Sequence, residues 1–168
     1  MKKSYLRFLL LLLFFFSVFN FTNTANSAQP QNTVSTIFSI LSYVKWKSTT
    51  PLICIINNPA LTKQFTTNLN TYNKYQVKTL SVNDLKRTQC DTIIFSTFTA
   101  KEEQLILNTY VNFPALSIST NNTQCEEGSA FCLYRKNNQV SFKINLGSVN
   151  QTKVHIDPRV LLLAKDSE

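Results

Sequence analysis

Short strand-like segments alternate with helical segments through the middle of this 168-residue chain. Segments 52–56, 75–80, 90–96 and 115–119 have the length of strands, and the first is a continuous apolar run of the kind found where both faces of a strand are covered. Regular alternation of strands and helices predicts βαβ units, a mainly parallel sheet and right-handed crossovers. The chain is therefore expected to form an α/β domain.

The predicted helices flank these strands. From Asn32, apolar residues at helical spacing indicate a first helix that ends by residues 46–48, and Asn58-Pro59 marks the start of a second. A third helix, capped by Thr97 or Thr99, runs towards Pro114. It is expected to bury Leu105 and Leu107, whereas Glu102 and Glu103 in its first turn are expected to be solvated.

The pattern changes after residue 121. Segments 130–135 and 139–145 predict an antiparallel β-hairpin, and a short helical segment from 146 leads to an extended stretch at 154–156. Asp157-Pro158 opens a last helix with Val160, Leu161 and Leu162 available for packing. The predicted fold is an α/β fold whose mainly parallel sheet of βαβ units is flanked by helices and ends in this hairpin and a C-terminal helix.

The N-terminus has the layout of a secretory signal peptide. Lys2, Lys3 and Arg7 precede an apolar run at 8–16, and the small residues at 25–28 offer cleavage after Ser27 or Ala28. A retained membrane anchor is the alternative, but the run is shorter than the ~20 residues needed to span a bilayer. We expect a signal peptide at 1–28 and a single exported domain at 29–168, with no direct membrane insertion after cleavage.

The positive charge is modest once this signal is set aside. The chain has a formal net charge of +8, and without the three signal cations it has 14 basic and 9 acidic residues. The basic residues are scattered, whereas nucleic-acid binders usually concentrate them on one face with interleaved aromatics. No nucleic-acid partner is expected.

Four cysteines lie in the exported part: Cys54, Cys90, Cys125 and Cys132. An oxidising compartment permits disulfides, and three pairings are possible. The short separation of Cys125 and Cys132 favours a local bridge, which leaves Cys54 with Cys90. A zinc site is disfavoured because there is no C-x-x-C pair and the single histidine, His155, is distant in sequence, so no metal site is predicted.

Glycine scarcity limits the chemistry that the chain can support. Its two glycines, Gly128 and Gly147, are too few for a P-loop or a dinucleotide-binding fingerprint, so no cofactor is expected. His155 lies between two apolar residues and no recognisable nucleophile motif accompanies it, so the chain is not expected to be an enzyme. Glu126-Glu127 lacks the further oxygen ligands of a calcium site.

Three aromatic residues are candidates for contacts. Tyr43 and Trp46 fall where the first helix ends and are candidates to line a pocket or a contact surface. Phe131 precedes Cys132, so its side chain points to the opposite face of the strand. It is expected to be an exposed, rigidly held aromatic, which is a good anchor for a protein interface.

Several segments together resemble the YfiR-like family of periplasmic proteins. The glycine-led strand G-S-A-F-C-L-Y at 128–134, the strand V-S-F-K-I-N-L at 140–146 and the closing H-I-D-P-R-V-L-L-L-A at 155–164 carry most of the likeness. The opening I-L-S-Y-V-K-W at 40–46 and L-I-C-I at 52–55 are also similar to the family.

This resemblance implies a function and a location. A member would be a non-enzymatic periplasmic protein that binds the periplasmic domain of an inner-membrane diguanylate cyclase and represses its output, cyclic-di-GMP, which governs biofilm formation. Members form dimers and carry two disulfides, here Cys54–Cys90 and Cys125–Cys132. By analogy, partner contacts are expected around Phe131, Lys143 and Val149, although Lys143 stands where the family commonly has an acidic residue.

Two other functions are compatible with the sequence. One is a periplasmic small-ligand-binding domain with its pocket at the carboxyl ends of the strands, where open α/β sheets usually place ligands. The other is an envelope enzyme that uses His155. A cyclase-binding regulator is the preferred interpretation.

Overall fold

The computed structural model describes residues 28–136 and 139–165. The predicted signal peptide lies, apart from Ala28, outside these residues, as does the Asn137-Asn138 turn of the predicted hairpin. Within the described ranges, no helix has both the length and the apolar character needed to cross a membrane.

Helices and strands follow one another in the predicted order. The helices are α1 (Ala28–Ser42), α2 (Pro59–Asn68), α3 (Ala100–Tyr110), α4 (Leu146–Gln151) and α5 (Val160–Lys165), with a 3-10 helix at Val82–Lys86. The strands are β1 (Val44–Lys45), β2 (Leu52–Ile56), β3 (Gln76–Leu80), β4 (Thr92–Phe95), β5 (Leu116–Ser119), β6 (Phe131–Lys136), β7 (Gln139–Ile144) and β8 (His155–Ile156).

The main sheet has six strands in the order β3-β2-β4-β5-β6-β7. Neighbouring strands from β3 to β6 run parallel, and the β6–β7 pair is antiparallel. The predicted fold class is confirmed, and β2 and β4 are neighbours in the sheet, which a bridge between Cys54 and Cys90 needs. A second sheet was not predicted. It consists of β1 and β8, which pair antiparallel, and Val44, just after the first helix, lies opposite Ile156.

One face of the sheet packs against α1 and α2. Their buried residues Val34, Phe38 and Phe65 meet Ile53 and Ile55 of β2 in a single apolar cluster. Side chains alternate between the two faces of a strand, so these two isoleucines share a face while Cys54 and Ile56 point away. The helical spacing of apolar residues expected in the first helix is confirmed.

The opposite face packs against α3 and the 3-10 helix. Ile56, Ile93 and Phe95 form a second cluster there with Leu85 and Ile106. Cys54 and Cys90 are bonded within this layer, with their Cα atoms 5.9 Å apart, as the neighbouring positions of β2 and β4 permit. The disulfide therefore joins β2 to the segment that enters β4.

Helix starts follow the local sequence. The side chain of Asn58 accepts a hydrogen bond from the backbone N–H of Leu61 (2.8 Å) at the start of α2. Capping boxes of Ser81 with Asp84 and of Thr99 with Glu102 begin the 3-10 helix and α3. Thr99, one of the two predicted candidates, is therefore the cap of α3.

Two expectations about buried leucines are wrong. Leu105 is 66% exposed, because the buried positions of α3 are Glu103 and Ile106, three residues apart. Leu161 and Leu162 are 46% and 58% exposed, and Val160 is the buried residue at the start of α5. The rest of each expectation is confirmed: Leu107 packs partly buried against the second cluster, and Val160 is buried.

Candidate functional site

An open cavity of about 600 Å³ lies at the carboxyl ends of β2, β4 and β5. We call it the strand-end cleft. One wall is polar and contains Asn58, Ser96, Thr120 and Thr123 from the loops that leave these strands. The lining also includes Leu61, Leu133 and Val140, of which Leu61 and Leu133 are almost fully buried in the core. The cleft occupies the position where open parallel sheets usually bind ligands.

The polar wall is held in place by hydrogen bonds. The Asn58 amide nitrogen donates to the Ser96 hydroxyl (2.9 Å), while the amide oxygen of Asn58 caps α2. The backbone N–H of Thr120 donates to the carbonyl of Phe95 (2.9 Å), which ties two of the loops together. Asn57, which precedes the cap, has a positive φ of 53°, a conformation that asparagine tolerates better than most residues. These groups are therefore positioned before any ligand arrives.

The described residues around the strand-end cleft include one charged side chain. Among the described residues that line it, Arg135 is the one charged residue and none is acidic. Arg135 and Leu133 lie on the same face of β6, and Arg135 is paired with Val140 of β7. Arg135 therefore lies next to Val140 across the β6–β7 pair.

A second polar centre surrounds Glu103, whose side chain is fully buried. The carboxylate accepts hydrogen bonds from the hydroxyls of Ser119 and Ser129 and from the backbone N–H of Ser129 (3.2 Å). The Ser119 hydroxyl in turn accepts from the backbone N–H of Asn122 (2.9 Å). Glu103 thereby joins α3 to β5 and to the loop at 120–130, and we call this group of residues the Glu103 centre.

The loop lies directly against α3 and α4 at Gly128. The backbone N–H of Gly128 donates to the side chain of Gln104 (3.0 Å), and its carbonyl accepts from the Ser148 hydroxyl (2.8 Å). Gly128 has a φ of +86°, and a Cβ atom there would lie 2.8 Å from a carboxylate oxygen of Glu103. Only glycine suits both this conformation and this contact.

The Cys125–Cys132 disulfide closes the same loop, with Cα atoms 5.6 Å apart. The side-chain oxygen of Asn122 accepts from the backbone N–H of Cys125 (3.0 Å), and its nitrogen donates to the carbonyl of Glu127 (2.7 Å). Both disulfides therefore have the pairing that the spacing favoured. The loop is held by a covalent bond and by the buried carboxylate.

Glu103 was expected to be solvated, but its side chain is fully buried. Burial raises the pKa of Glu103 above its ordinary value, and the hydrogen bonds from Ser119 and Ser129 oppose part of that rise. The neighbouring Glu102 is exposed as expected, and its hydrogen bonds from Thr99 lower its pKa. Helical spacing from the buried Ile106 is the signal that could have placed Glu103 inside, because the two lie three residues apart.

The three residues expected to contact a partner have different surroundings. The expected exposure of Phe131 is wrong: it is fully buried, with its ring centroid 5.7 Å from that of Phe142. It lies on the face opposite the disulfide, as expected, but α1 and α2 cover that face. Lys143 is exposed, with its ammonium 5.6 Å from the centroid of the Tyr134 ring, and Val149 is partly buried against the core.

The other candidate residues fall outside these two places. His155 is exposed and lies opposite Lys45 in the small β1–β8 sheet. Trp46 lines another cavity, of about 530 Å³, with Asp91 and Pro114, while Tyr43 packs partly buried against the core. Among the described residues, no group of three or more histidine, cysteine, aspartate or glutamate side chains is placed to hold a metal ion.

Fold and site together define a disulfide-bonded α/β domain whose six-stranded sheet has a cleft at its strand ends. The YfiR/HmsC-like family model matches residues 30–165, which is most of the chain. The protein belongs to the YfiR/HmsC-like family. A solved structure of a CheY-like response regulator protein from Mesorhizobium loti is similar at 13% identity, over 44% of this chain and 71% of its own, with a TM-score of 0.30, and that likeness carries no argument.

Proposed function

We propose that this protein is a periplasmic, non-enzymatic regulator that binds and represses the periplasmic sensor domain of an inner-membrane diguanylate cyclase. Family membership over residues 30–165 carries the proposal, because the YfiR-like family is associated with the regulation of these cyclases. The acting species would be the mature domain that starts near Gln29, as a homodimer.

The two disulfides support an envelope location. All four cysteines of the chain are bonded in pairs, and such bonds persist in oxidising compartments and are rare in the cytosol. The bonds lie in different parts of the fold: Cys54–Cys90 links β2 to the segment that enters β4, and Cys125–Cys132 closes the loop over Glu103. Oxidation would therefore support both the sheet and the loop.

Lys143 is the best candidate for a partner contact. It lies on β7, which is the last strand of the main sheet, and its side chain is exposed. Its amino group lies near the Tyr134 ring, so a cation and an aromatic are presented together. Because the family commonly has an acid here, we propose that the cyclase recognised by this member presents an acidic group to Lys143.

The test is binding of the oxidised mature protein to the periplasmic domain of a membrane cyclase encoded beside its gene, measured by calorimetry. We expect Lys143→Glu to weaken binding by about tenfold or more, since it places like charges opposite each other. Lys63→Glu, an exposed lysine on α2, is the matched control and should change the affinity by less than about twofold. Absence of binding by both the oxidised and the reduced protein would contradict the proposal.

A second candidate function is the binding of a small molecule, and the strand-end cleft favours it. The volume of about 600 Å³ lies within the ~300–1,000 Å³ typical of ligand pockets. A rise in melting temperature on addition of a ligand from a metabolite panel, lost in Ala60→Trp, which places a bulky side chain at an exposed position of the lining, would support this function. Binding of the cyclase and binding of a ligand are separate measurements.

A further inference from the structure

We infer that a cavity between α3 and α4 binds a neutral, hydroxyl-rich ligand of about the size of a monosaccharide. We call it the α3–α4 cavity, and its volume of about 360 Å³ lies at the lower end of the ~300–1,000 Å³ typical of ligand pockets. Among the described residues it shares no lining residue with the strand-end cleft, so the inference goes beyond both functions proposed above.

The buried part of the lining carries hydroxyl groups. Ser117 on β5 is 2% exposed, and Ser148 and Thr152 are 8% and 7% exposed. The Ser117 hydroxyl accepts a hydrogen bond from the backbone N–H of Ala130 (3.0 Å), but its own hydrogen has no acceptor among the described residues. The Ser148 hydroxyl donates to the carbonyl of Gly128 (2.8 Å) and accepts from none of them. Buried polar groups are normally hydrogen-bonded, so ligand hydroxyls that accept from Ser117 and donate to Ser148 would satisfy both.

Side-chain amides lie at the exposed edge of the cavity, one on each helix. The amide oxygen of Asn108 on α3 accepts a hydrogen bond from Gln104 (3.0 Å), which leaves the amide nitrogen of Asn108 free to donate. The side-chain amide of Gln151 on α4 bonds to no described residue. An amide can donate to one hydroxyl and accept from the next, which matches the neighbouring hydroxyls of a sugar ring.

The described lining carries no charged side chain, which favours a neutral ligand. An ionic ligand would lose its water there without gaining a counter-charge. The carboxylate of Glu103 lies directly behind the lining residue Gly128, where a Cβ atom would be 2.8 Å from its oxygen. Glu103 is hydrogen-bonded but forms no ion pair within the described ranges, so it would repel an anion in particular.

Part of the lining is apolar and can contact the C–H groups of a ring. Val111 and Phe113 both line the cavity and are only partly buried, so each keeps accessible surface. A ligand with hydroxyls and C–H groups can use both kinds of contact, whereas a purely apolar ligand would leave the hydroxyls of Ser117 and Ser148 without partners.

The experiment is an NMR titration of the oxidised, ¹⁵N-labelled mature protein with methyl glucoside, its carboxylate analogue glucuronate, and cyclohexanol, which has a similar ring but one hydroxyl. We expect methyl glucoside to shift the amide signals of Ser117, Gly128 and Gln151, and to bind at least about tenfold more tightly than either of the other probes. Asn108→Trp, which places a bulky side chain at the exposed edge of the cavity, should abolish these shifts. Thr109→Trp is the matched control, because Thr109 is the exposed neighbour on α3 and does not line the cavity.

A second variant tests the buried hydroxyl directly. Ser117→Ala removes this hydroxyl with little change of side-chain volume, and in the same titration it should weaken the binding of methyl glucoside by about fivefold. An unchanged affinity would show that the ligand does not bond to Ser117 and would overturn the inference.

The other probes give further ways to overturn the inference. Equal affinity for glucuronate would show that the cavity tolerates a negative charge, and equal affinity for cyclohexanol would show that it does not recognise the hydroxyls of the ligand. If Asn108→Trp leaves the shifts unchanged, or methyl glucoside shifts no signal at the α3–α4 cavity, the ligand does not occupy this site. Cyclase binding and ligand binding in the strand-end cleft are tested by separate measurements and are unaffected.

Discussion

The strand-end cleft and the Glu103 centre are both built at the carboxyl end of the sheet, but on opposite sides of it. Ser119 at the end of β5 donates to Glu103, and the next residue, Thr120, lines the cleft. In the Glu103 centre the polar groups are buried and bond to one another, so they fasten a loop. In the cleft, similar polar groups are open to solvent and can exchange water for a ligand. Burial, rather than residue type, separates the two roles.

The largest loss of stability is expected at Gly128, where the Glu103 centre is most closely packed. Gly128→Ala places a Cβ atom 2.8 Å from Glu103 and 2.9 Å from the backbone carbonyl of Ala100, at a φ of +86°. Strain and overpacking together should lower the free energy of unfolding by about 3 kcal/mol in urea titrations.

The other glycine provides the control. Gly147 lies in α4, where a Cβ atom would meet only the side-chain oxygen of Asn145, at 3.2 Å. Gly147→Ala should therefore change the free energy of unfolding by less than about 1 kcal/mol, since alanine also favours a helix. Equal effects of the two substitutions would show that the loop does not depend on close contact with Glu103.

A smaller loss of stability is expected for a substitution in the strand-end cleft. Asn58→Ala removes the cap of α2 and the bond to Ser96, which should cost about 1 kcal/mol because the cap satisfies a backbone N–H that is otherwise exposed to solvent. Asn73→Ala, at an exposed position between α2 and β3, should cost less than about 0.5 kcal/mol. A cost at Asn58 as large as that at Gly128 would mean that the cleft is structural rather than a preformed ligand site.

The smallest effect is the pH dependence that Glu102 and Glu103 contribute to the free energy of unfolding. The sign of this dependence is expected to differ between the two residues. The pKa of Glu103 is raised above 4.5 in the folded protein, so the folded state binds this proton more tightly than the unfolded chain does. The contribution of Glu103 to stability should therefore increase as the pH falls from the folded pKa to 4.5, and the difference between wild type and Glu103→Gln should show this rise.

Glu102 should behave in the opposite way. Its pKa is lowered below 4.5 by hydrogen bonds from Thr99, so its contribution is present above pH 4.5 and is lost as the pH falls through the folded pKa. Urea titrations of Glu102→Gln and Glu103→Gln between pH 7 and pH 3 measure both trends. The same sign for both variants would show that Glu103 is not desolvated in solution.

Much of the fold could be predicted because it depends on local signals. The caps at Asn58, Ser81 and Thr99 depend on a hydrogen bond within three residues, and the apolar run 52–56 has the composition of a buried strand. The spacing of the cysteines favoured their pairing, and this pairing requires β2 and β4 to be neighbours. The observed order β3-β2-β4-β5 fits that requirement.

The candidate site was only partly predictable. The position of the cleft followed from the parallel sheet, but Arg135 did not, because its contribution depends on the antiparallel register that sets it beside Val140. Glu103 was misplaced because two adjacent glutamates at a helix start look alike until the rotation of α3 is known. Phe131 was placed on the correct face of its strand, yet the helices that bury this face come from distant parts of the chain.

The sequence by itself therefore determined the alternation of strands and helices, the helix starts and the cysteine pairs, because each rests on short-range spacing along the chain. Only the tertiary structure decided which polar groups are buried and which are accessible to solvent. The loop at 120–130 covers Glu103, whereas Thr120 lines the cleft. That difference depends on how separate elements pack against the same sheet.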